Sequence, residues 1–275
     1  MNDVRTRADR LSWTIATRVV AFPRGTVFAA SNCALAGIRL SQERLGCRLA
    51  LCSRGGAYDP RGPLSLNARW WIFNQRPRAY IDLKDVFDTL SEPHALLATP
   101  AQIDGAANAN LSCVGDHGAP KVAFGGSRGL PDPQAIHFVM PNYGKRQLVE
   151  AVSFVSTRAA SRRTPALLIT EDMVMRWDAR ESIWRLEALA AGVSIDDVAA
   201  RTGFIFAVAD QPAPLPDLPA DAVETLDAID PFGLRLLDFA NDRAAQFDTM
   251  ESIYALEAER IGGTGLPRPA IHSKG

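Results

Sequence analysis

Residues 26–52 read TVFAASNCALAGIRLSQERLGCRLALC, and this stretch decides the fold. A short apolar run at 26–30 is followed by a segment at 31–45 in which Leu35, Ile38 and Leu45 fall at roughly helical spacing, then by a second apolar run at 48–52. Small residues opening the middle segment let backbone pack closely. The order is strand, crossover helix, strand, the pattern of a βαβ unit.

Outward from this unit the alternation continues. Strands are predicted at 94–99, 121–124 and 147–155, and a helix at 86–91 that ends where Pro93 disfavours a helical residue before it. The Asn-, Asp- and Gly-rich stretch 101–118 surrounds a short apolar piece and predicts a hairpin, or a strand flanked by loops. Beyond 163 the pattern predicts a strand at 167–170, paired strands at 173–177 and 182–189, and a short helix at 195–201 whose start Asp196 and Asp197 favour electrostatically. Pro212, Pro214, Pro216 and Pro219 mark an extended linker; 221–226, 232–237 and 244–261 read as helices. The glycine- and proline-rich end is expected to be disordered or tied to a partner. The expectation is an α/β fold, an open, mostly parallel sheet flanked by helices. It forms one domain over 1–240, with a C-terminal helical extension and flexible tail over 241–275.

Composition narrows the function. A chain of 275 residues with 47% hydrophobic side chains buries a full-sized core. Its 30 basic and 31 acidic residues leave a net charge of -1, which argues against nucleic acid or a membrane surface as partner. The opening MNDVRTRADR-LSWTIATRVVAF lacks the apolar core and cleavage site of a secretory signal, and no run reaches the ~18 uncharged apolar residues of a membrane span. A soluble, cytoplasmic protein is expected. Cys33, Cys47, Cys52 and Cys113 form no C-x-x-C pair and read as reduced, mostly buried thiols; His94, His117, His137 and His272 show no metal-ligand spacing.

Several loops carry chemistry-bearing residues. Gly125-Gly126-Ser127-Arg128-Gly129 matches G-x-S-x-G after a predicted strand, yet Pro131 and Pro133 block the helix that a nucleophile elbow requires. A glycine-rich loop whose backbone N–H groups approach an acyl or phosphate oxygen, with Arg128 adding charge, is the alternative; an ordinary turn is the third. Leu51-Cys52-Ser53-Arg54-Gly55-Gly56 is a strand-to-loop turn at the carboxyl end of a strand, where ligands collect in open α/β sheets, or a plain connection. In Ala101-Gln102-Ile103-Asp104-Gly105, with Asn108 and Asn110, the amides and carboxylate either satisfy backbone turns or orient a substrate. Lys145 and Arg146 can hold a phosphate or simply be solvated. Trp70-Trp71-Ile72-Phe73 builds a pocket wall, a subunit contact or core.

Taken in order, these pieces resemble the β subunits of glutaconate, 3-oxoadipate and related class I CoA-transferases over about 27–237. Ala101-Gln102-Ile103-Asp104 with Asn108 and Asn110 looks like that family's A-Q-[IV]-D-x-x-G-N-x-N block, 125–132 like its oxyanion loop, and 144–155 like its K-R-x-x-V-E-x-V strand. The segment 192–204 looks like its G-V-[ST]…T-G-F block, and Asp230-Pro231-Phe232-Gly233 like its late I-D-P-x-G. The resemblance implies a CoA-transferase (NagB/RpiA-like) fold and an α-type partner subunit, commonly in an α2β2 assembly. It implies an acyl-CoA thioester as substrate and no permanently bound cofactor or metal. It places Ser53, Arg54 and Asn108 at the reacting centre. Gly125, Gly126, Ser127, Arg128, Gly129, Lys145 and Arg146 fall on the oxyanion and CoA side, and Gln102, Asp104 and Trp70 in the substrate pocket.

One departure changes the expected chemistry. These transferases use a β-subunit glutamate as nucleophile, and where it is expected this chain has Cys52-Ser53-Arg54-Gly55, with no Glu. An unactivated serine hydroxyl does not form the acyl anhydride that CoA exchange needs. A subgroup without this glutamate includes the hydrolase that opens the last rings of steroid CoA thioesters. The resemblance therefore implies a hydrolase of carbon–carbon bonds, with a CoA-transferase or a non-catalytic structural subunit as alternatives.

Overall fold

The computed structural model describes residues 2–22, 24–29, 31–52, 57–66, 76–81, 95–123, 135–158, 166–240 and 242–260. The chain opens with helix α1 (Asn2–Val19), then β1 (Gly25–Ala29), α2 (Asn32–Arg44) and β2 (Leu49–Cys52), followed by the short β3 (Ala57–Tyr58) and β4 (Ala79–Tyr80). After β5 (Ala95–Ala98) come β6 (Gln102–Ile103), β7 (Asn108–Asn110) and the hairpin β8 (Cys113–Asp116) and β9 (Ala119–Ala123). Then follow β10 (Ala135–Val139), β11 (Thr157–Arg158), β12 (Ala166–Ile169), β13 (Met173–Asp178), β14 (Ile183–Leu189), α3 (Ile195–Arg201) and β15 (Ala207–Pro214). Helix α4 (Ala220–Ile229), a 3-10 helix (Leu234–Phe239) and α5 (Arg243–Arg260) complete it.

The main sheet runs β15-β14-β13-β12-β10-β5-β1-β2-β3-β4. Its centre, from β12 to β2, is parallel throughout, and antiparallel strands extend it from β12 to β14 and beyond β2. This is the open, mostly parallel sheet expected from the β1-α2-β2 unit. Because both faces are covered, β5, β10 and β12 are buried at every position. One face packs Val27, Leu51, Leu97 and Ile169 against Leu11 and Ile15 of α1 and Ile38 of α2. The other packs Leu96, Phe138, Leu168 and Met175 against Ile103 and Ala109 of a small β11-β7-β6 sheet, with Val198 of α3. Outside the first helical layer, Trp13, Ala36 and Leu40 meet Leu226 and Ile229 of α4 and Ile253 of α5. The helix of the C-terminal extension is thus packed onto the body, and Glu257 accepts the Leu66 N–H at 2.7 Å.

Two expectations need correction, and two elements add to them. The segment 147–155 is not a strand: Leu148 makes a single bridge to Ile103, and the N–H groups of Val152 and Ser153 go to the side chains of Asp104 and Gln102 instead of a ladder. The proline-marked linker begins as an edge strand, β15, with Pro212 and Pro214 placed where a missing N–H is tolerated. Strand β10 and helix α1 were not foreseen. The predicted helix at 86–91 and the tail beyond 260 lie outside the described residues. Among the described residues, no helix is long and apolar enough to cross a membrane.

Helices α1 and α2 cross where Gly37 faces Ser12 and Ile15. A Cβ there would lie 2.6 Å from the Ser12 carbonyl oxygen and 2.9 Å from Ile15. Gly37→Ala is expected to destabilise the chain by about 1–3 kcal/mol despite the better helix propensity of alanine, since the nearest obstacle is backbone; chemical denaturation checks this, and an unchanged midpoint would contradict the close crossing.

Buried in the middle of the sheet, His137 bonds its Nδ1 to the Ile136 carbonyl and lies 5.0 Å, centroid to centroid, from the Phe22 ring. Burial pulls its pKa from 6.5 down to about 4, with Arg176 and Arg18 adding repulsion. Above pH ~6.5 the ring is neutral both folded and unfolded and contributes nothing. As pH falls from 6.5 to about 4 only the unfolded chain takes up the proton, so stability is lost, about 3 kcal/mol in all. His137→Leu is expected to flatten the fall of Tm across that window, and parallel wild-type and variant profiles would rule the histidine out as its source.

Candidate active site

In an open α/β sheet the ligand crevice lies outside the carboxyl ends of the strands, where the strand order reverses. Here β1 leads through α2 to β2 on one side, and β5 then takes the other side of β1. The register pairs Phe28 with Cys52 and Ala29 with Leu97, and sets Ala98 beside Phe138. The exits of β2, β1, β5 and β10 therefore lie side by side. Ser31, which caps α2 by accepting the Ala34 N–H at 3.1 Å, follows β1; Thr99 follows β5; residues 53–56 follow β2.

Ser53, Arg54, Trp70 and the loop Gly125, Gly126, Ser127, Arg128 and Gly129 lie outside the described residues. Cys52, just before Ser53, is buried with Phe28, Tyr58 and Ile81 around it, and burial pushes its thiol up to about 11. It is a neutral thiol at physiological pH. Asp59, on the strand pair beside it, is taken up by Arg61 and by the Gln42 amide, both at 3.0 Å. It is not an available nucleophile.

The segment after β5 is built from polar side chains that hold backbone. Asp104 Oδ1 accepts the N–H groups of Ala106 and Asn108, and its Oδ2 accepts from Asn108 Nδ2 at 3.0 Å and from the Val152 N–H at 3.3 Å. Asp104 and Asn108 together shape the β6–β7 turn, and Trp184 Nε1 donates to the Asp104 carbonyl at 3.0 Å. Gln102 differs. Its Oε1 accepts from Asn110 Nδ2 at 2.9 Å and from the Ser153 N–H and hydroxyl at 3.1 and 2.8 Å, while its Nε2 has no partner among the described residues. The Thr99 hydroxyl, just after β5, is buried without a partner among the described residues. Lys145 and Arg146 are exposed in the turn that Gly144 closes after β10.

Two clusters escape a sequence reading because they join distant segments. Asp238, from the 3-10 helix, accepts the Cys33 N–H at 2.7 Å and the Asn32 amide at 3.0 Å, so this chain's own carboxylate occupies the N-terminus of α2; burial raises that carboxyl above its usual range. Glu171, fully buried after β12, binds Arg7 of α1 and the Asn142 N–H, and Asp172 binds Arg10 and Arg201. Arg201 also lies over the Tyr143 ring at 3.8 Å. These ion pairs fasten the exits of β10 and β12 to α1 and α3. Among the described residues no three His, Cys, Asp or Glu side chains converge to hold a metal ion.

The remaining motif residues are structural. The Gly203 N–H donates to the Leu148 carbonyl at 2.7 Å, a Cβ on Gly203 would lie 2.5 Å from that oxygen, and Phe204 packs against Gly105. The Thr202-Gly203-Phe204 segment thus locks α3 beneath the β6–β7 turn.

Solved structures share this fold. The decarboxylase AibA/AibB superposes with a TM-score of 0.72 at 24% identity, covering 83% of this chain and 96% of that chain. IpdAB of Rhodococcus jostii RHA1 gives 0.70 at 18% identity, over 85% and 98%. Glutaconate coenzyme A-transferase from Acidaminococcus fermentans gives 0.68 at 16% identity, over 82% and 95%. No sequence-family profile and no curated protein matches the chain.

Proposed function

We propose that this chain is the β-type subunit of a class I CoA-transferase-like enzyme that works on acyl-CoA thioesters with an α-type subunit. In it a carbon–carbon bond of the acyl group is cleaved, and CoA is not exchanged between acids. The observation that carries the reading is the exit of β2. A transferase nucleophile belongs there, and Cys52-Ser53-Arg54-Gly55-Gly56 holds no carboxylate, while the nearby Asp59 is bound by Arg61 and Gln42. Without a carboxylate no acyl anhydride forms, so covalent CoA exchange has no first step. What the exits do offer is hydrogen-bond donors for a carbonyl or enolate oxygen, Gln102 Nε2 and the Thr99 hydroxyl. The general acid–base group then comes from the partner, and the hydrolytic substrate is a ring-bearing acyl-CoA of the kind met in steroid breakdown.

Decarboxylation is a second reading. AibA/AibB is a decarboxylase whose structure was solved with one cysteine replaced by Asn, Val, Ser or Ala. Here Cys52 is a neutral thiol in an apolar setting, which disfavours a substrate carboxylate and favours its loss as carbon dioxide.

The test is to co-express the chain with an α-type subunit and follow acyl-CoA products by mass spectrometry, with and without an acceptor acid. Uptake of water without acceptor supports hydrolysis and loss of carbon dioxide supports the second reading. Acceptor-dependent CoA exchange overturns both.

A further inference from the structure

Hydrolytic cleavage of a carbon–carbon bond beside a carbonyl moves two protons. Water loses one as its oxygen bonds to the carbonyl carbon, and the departing carbon takes one with the bond's electron pair. The partner's acid–base group serves one of these transfers, and a group on this chain is left to serve the other. The crevice has two sides on which to look for it. The chain leaving β1 turns into α2, whose Ile38 packs on one face of the sheet, and the chain leaving β5 turns into β6 and β7, whose Ile103 and Ala109 pack on the other. Because β1 and β5 are neighbours, the sheet parts between their ends. Thr99 and Gln102 stand on the β5 side. Asp238 stands on the β1 side, where its Oδ2 accepts the Cys33 N–H at 2.7 Å and its Oδ1 the Asn32 amide at 3.0 Å, both from the first turn of α2.

The helix does not need this carboxylate as its cap, since Ser31 already accepts the Ala34 N–H at 3.1 Å. Nor is the charge neutralised. Asp9, Asp59, Asp172, Asp230 and Glu171 each bind an arginine, whereas Asp238 has no ion-pair partner among the described residues. Arg235, one turn earlier on the same 3-10 helix, is taken by Asp9, Asp227 and Asp230, and its carbonyl accepts the Cys33 thiol at 3.4 Å. Arg7, over the ring of the neighbouring Phe239, is bound to Glu171. Enclosure without a cation raises the Asp238 carboxyl above its ordinary range, while the donors from Cys33 and Asn32 fix its orientation. A carboxylate oxygen accepts two hydrogen bonds, so Oδ1, which takes one from Asn32, keeps a lone pair for water. The residue is half-buried, and solvent reaches it.

We infer that Asp238 is the general base of the hydrolysis, taking a proton from the attacking water on the β1 side while Gln102 and Thr99 hold the carbonyl oxygen on the β5 side. The inference rests on the hydrolytic two-subunit reading above and adds to it the residue that activates water. The water oxygen bonds to the carbonyl carbon as Asp238 Oδ1 takes the proton and the carbonyl electron pair moves onto oxygen. Collapse of that intermediate re-forms the carbonyl and breaks the carbon–carbon bond, whose electron pair passes to the departing carbon and is protonated by the partner's acid. Asp238 then returns its proton through solvent to the partner's group. One water is consumed and both groups are reset.

The experiment measures cleavage of a cyclic β-keto acyl-CoA by the complex with its α-type subunit, as a function of pH. Wild-type kcat is expected to fall as pH drops through a carboxyl that titrates above the ordinary aspartate range of about 4, because the base must be ionised. Asp238→Asn is expected to lower kcat by about a hundredfold at little change in KM and to abolish that acid limb. In Asp238→Ala, added formate is expected to restore part of the lost turnover, which it would not do for a residue that only supports α2. If the wild-type complex hydrolyses the substrate but shows no such limb, or Asp238→Asn turns over as fast as wild type, or formate rescues nothing, the base is overturned and the hydrolytic reading stands. If the wild-type complex releases carbon dioxide, exchanges CoA or leaves the substrate intact, the hydrolytic reading falls and the base falls with it.

Discussion

Asp230→Ala is expected to lower the stability of the chain by about 3–5 kcal/mol, which for a protein of this size is a fall in Tm of about 10 °C. Arg235, 2% exposed, is enclosed by three carboxylates: Asp9 at 2.6 Å, Asp227 at 2.8 Å and Asp230 at 2.9 Å. Burial works against the guanidinium charge, and Asp230 and Asp9 outweigh it, so the group is held protonated more firmly than usual. Asp230 is also structural in a second way, accepting the N–H groups of Leu234 at 2.8 Å and Arg235 at 3.0 Å at the start of the 3-10 helix. Removing it leaves a buried cation short of a partner and two backbone donors unmet at once. The 3-10 helix carries Asp238 to the N-terminus of α2, so loosening it disturbs the candidate site as well. Calorimetry on the variant measures the loss. The triple variant Asp9→Leu, Asp230→Leu and Arg235→Met is expected to recover part of it, because no buried charge is then stranded, Asp227 being half-exposed and bound by Arg5; a triple variant as unstable as the single one would show that the capped N–H groups, and not the ion pairs, dominate.

The second large effect is on turnover. Gln102→Glu keeps an oxygen where Asn110 and Ser153 donate, and replaces the unpartnered Nε2 with an acceptor. Folding is expected to survive with Tm within a few degrees, whereas kcat of the proposed two-subunit enzyme is expected to fall by about a hundredfold, the usual cost of one lost oxyanion donor, if Nε2 acts as one. Gln102→Leu removes both functions and is expected to lose stability and activity together, since Asn110 and Ser153 are then stranded. Equal turnover in wild type and Gln102→Glu would make Gln102 a purely structural residue.

How far the sequence could be read depended on whether a signal was local. The β1-α2-β2 unit, the paired strands β13 and β14 and the helix α3 are legible because each is set by neighbours in the chain. The α3 helix matches its predicted limits, and Ser194 and Asp197 form a capping box at its start. In helix α1 the stripe of Ala8, Leu11, Ile15 and Val19 that faces the sheet is interleaved with Arg5, Arg7, Arg10 and Arg18, so its local apolar signal is weak. Strand β10 was missed because His137 interrupts an apolar run, and a histidine in a sheet centre is tolerated only when burial keeps it neutral.

At the candidate site the division follows the same line. The lack of a carboxylate in the turn after β2 is a fact of sequence, and the proposal that CoA is not exchanged rests on it. Sequence could also mark Gln102, Asp104 and Asn108, but it could not tell the turn-holding carboxylate of Asp104 from the amide of Gln102, because that depends on which atoms the segment 150–156 reaches. Asp238 at the start of α2, Glu171 and Asp172 under three arginines, and Arg235 among three aspartates are decided only by tertiary structure. Partners such as Cys33 and Asp238 stand 205 residues apart, and chain-local periodicity carries no information over that distance. Hydrophobic patterning set the layers, and the packing of those layers chose which buried charges meet.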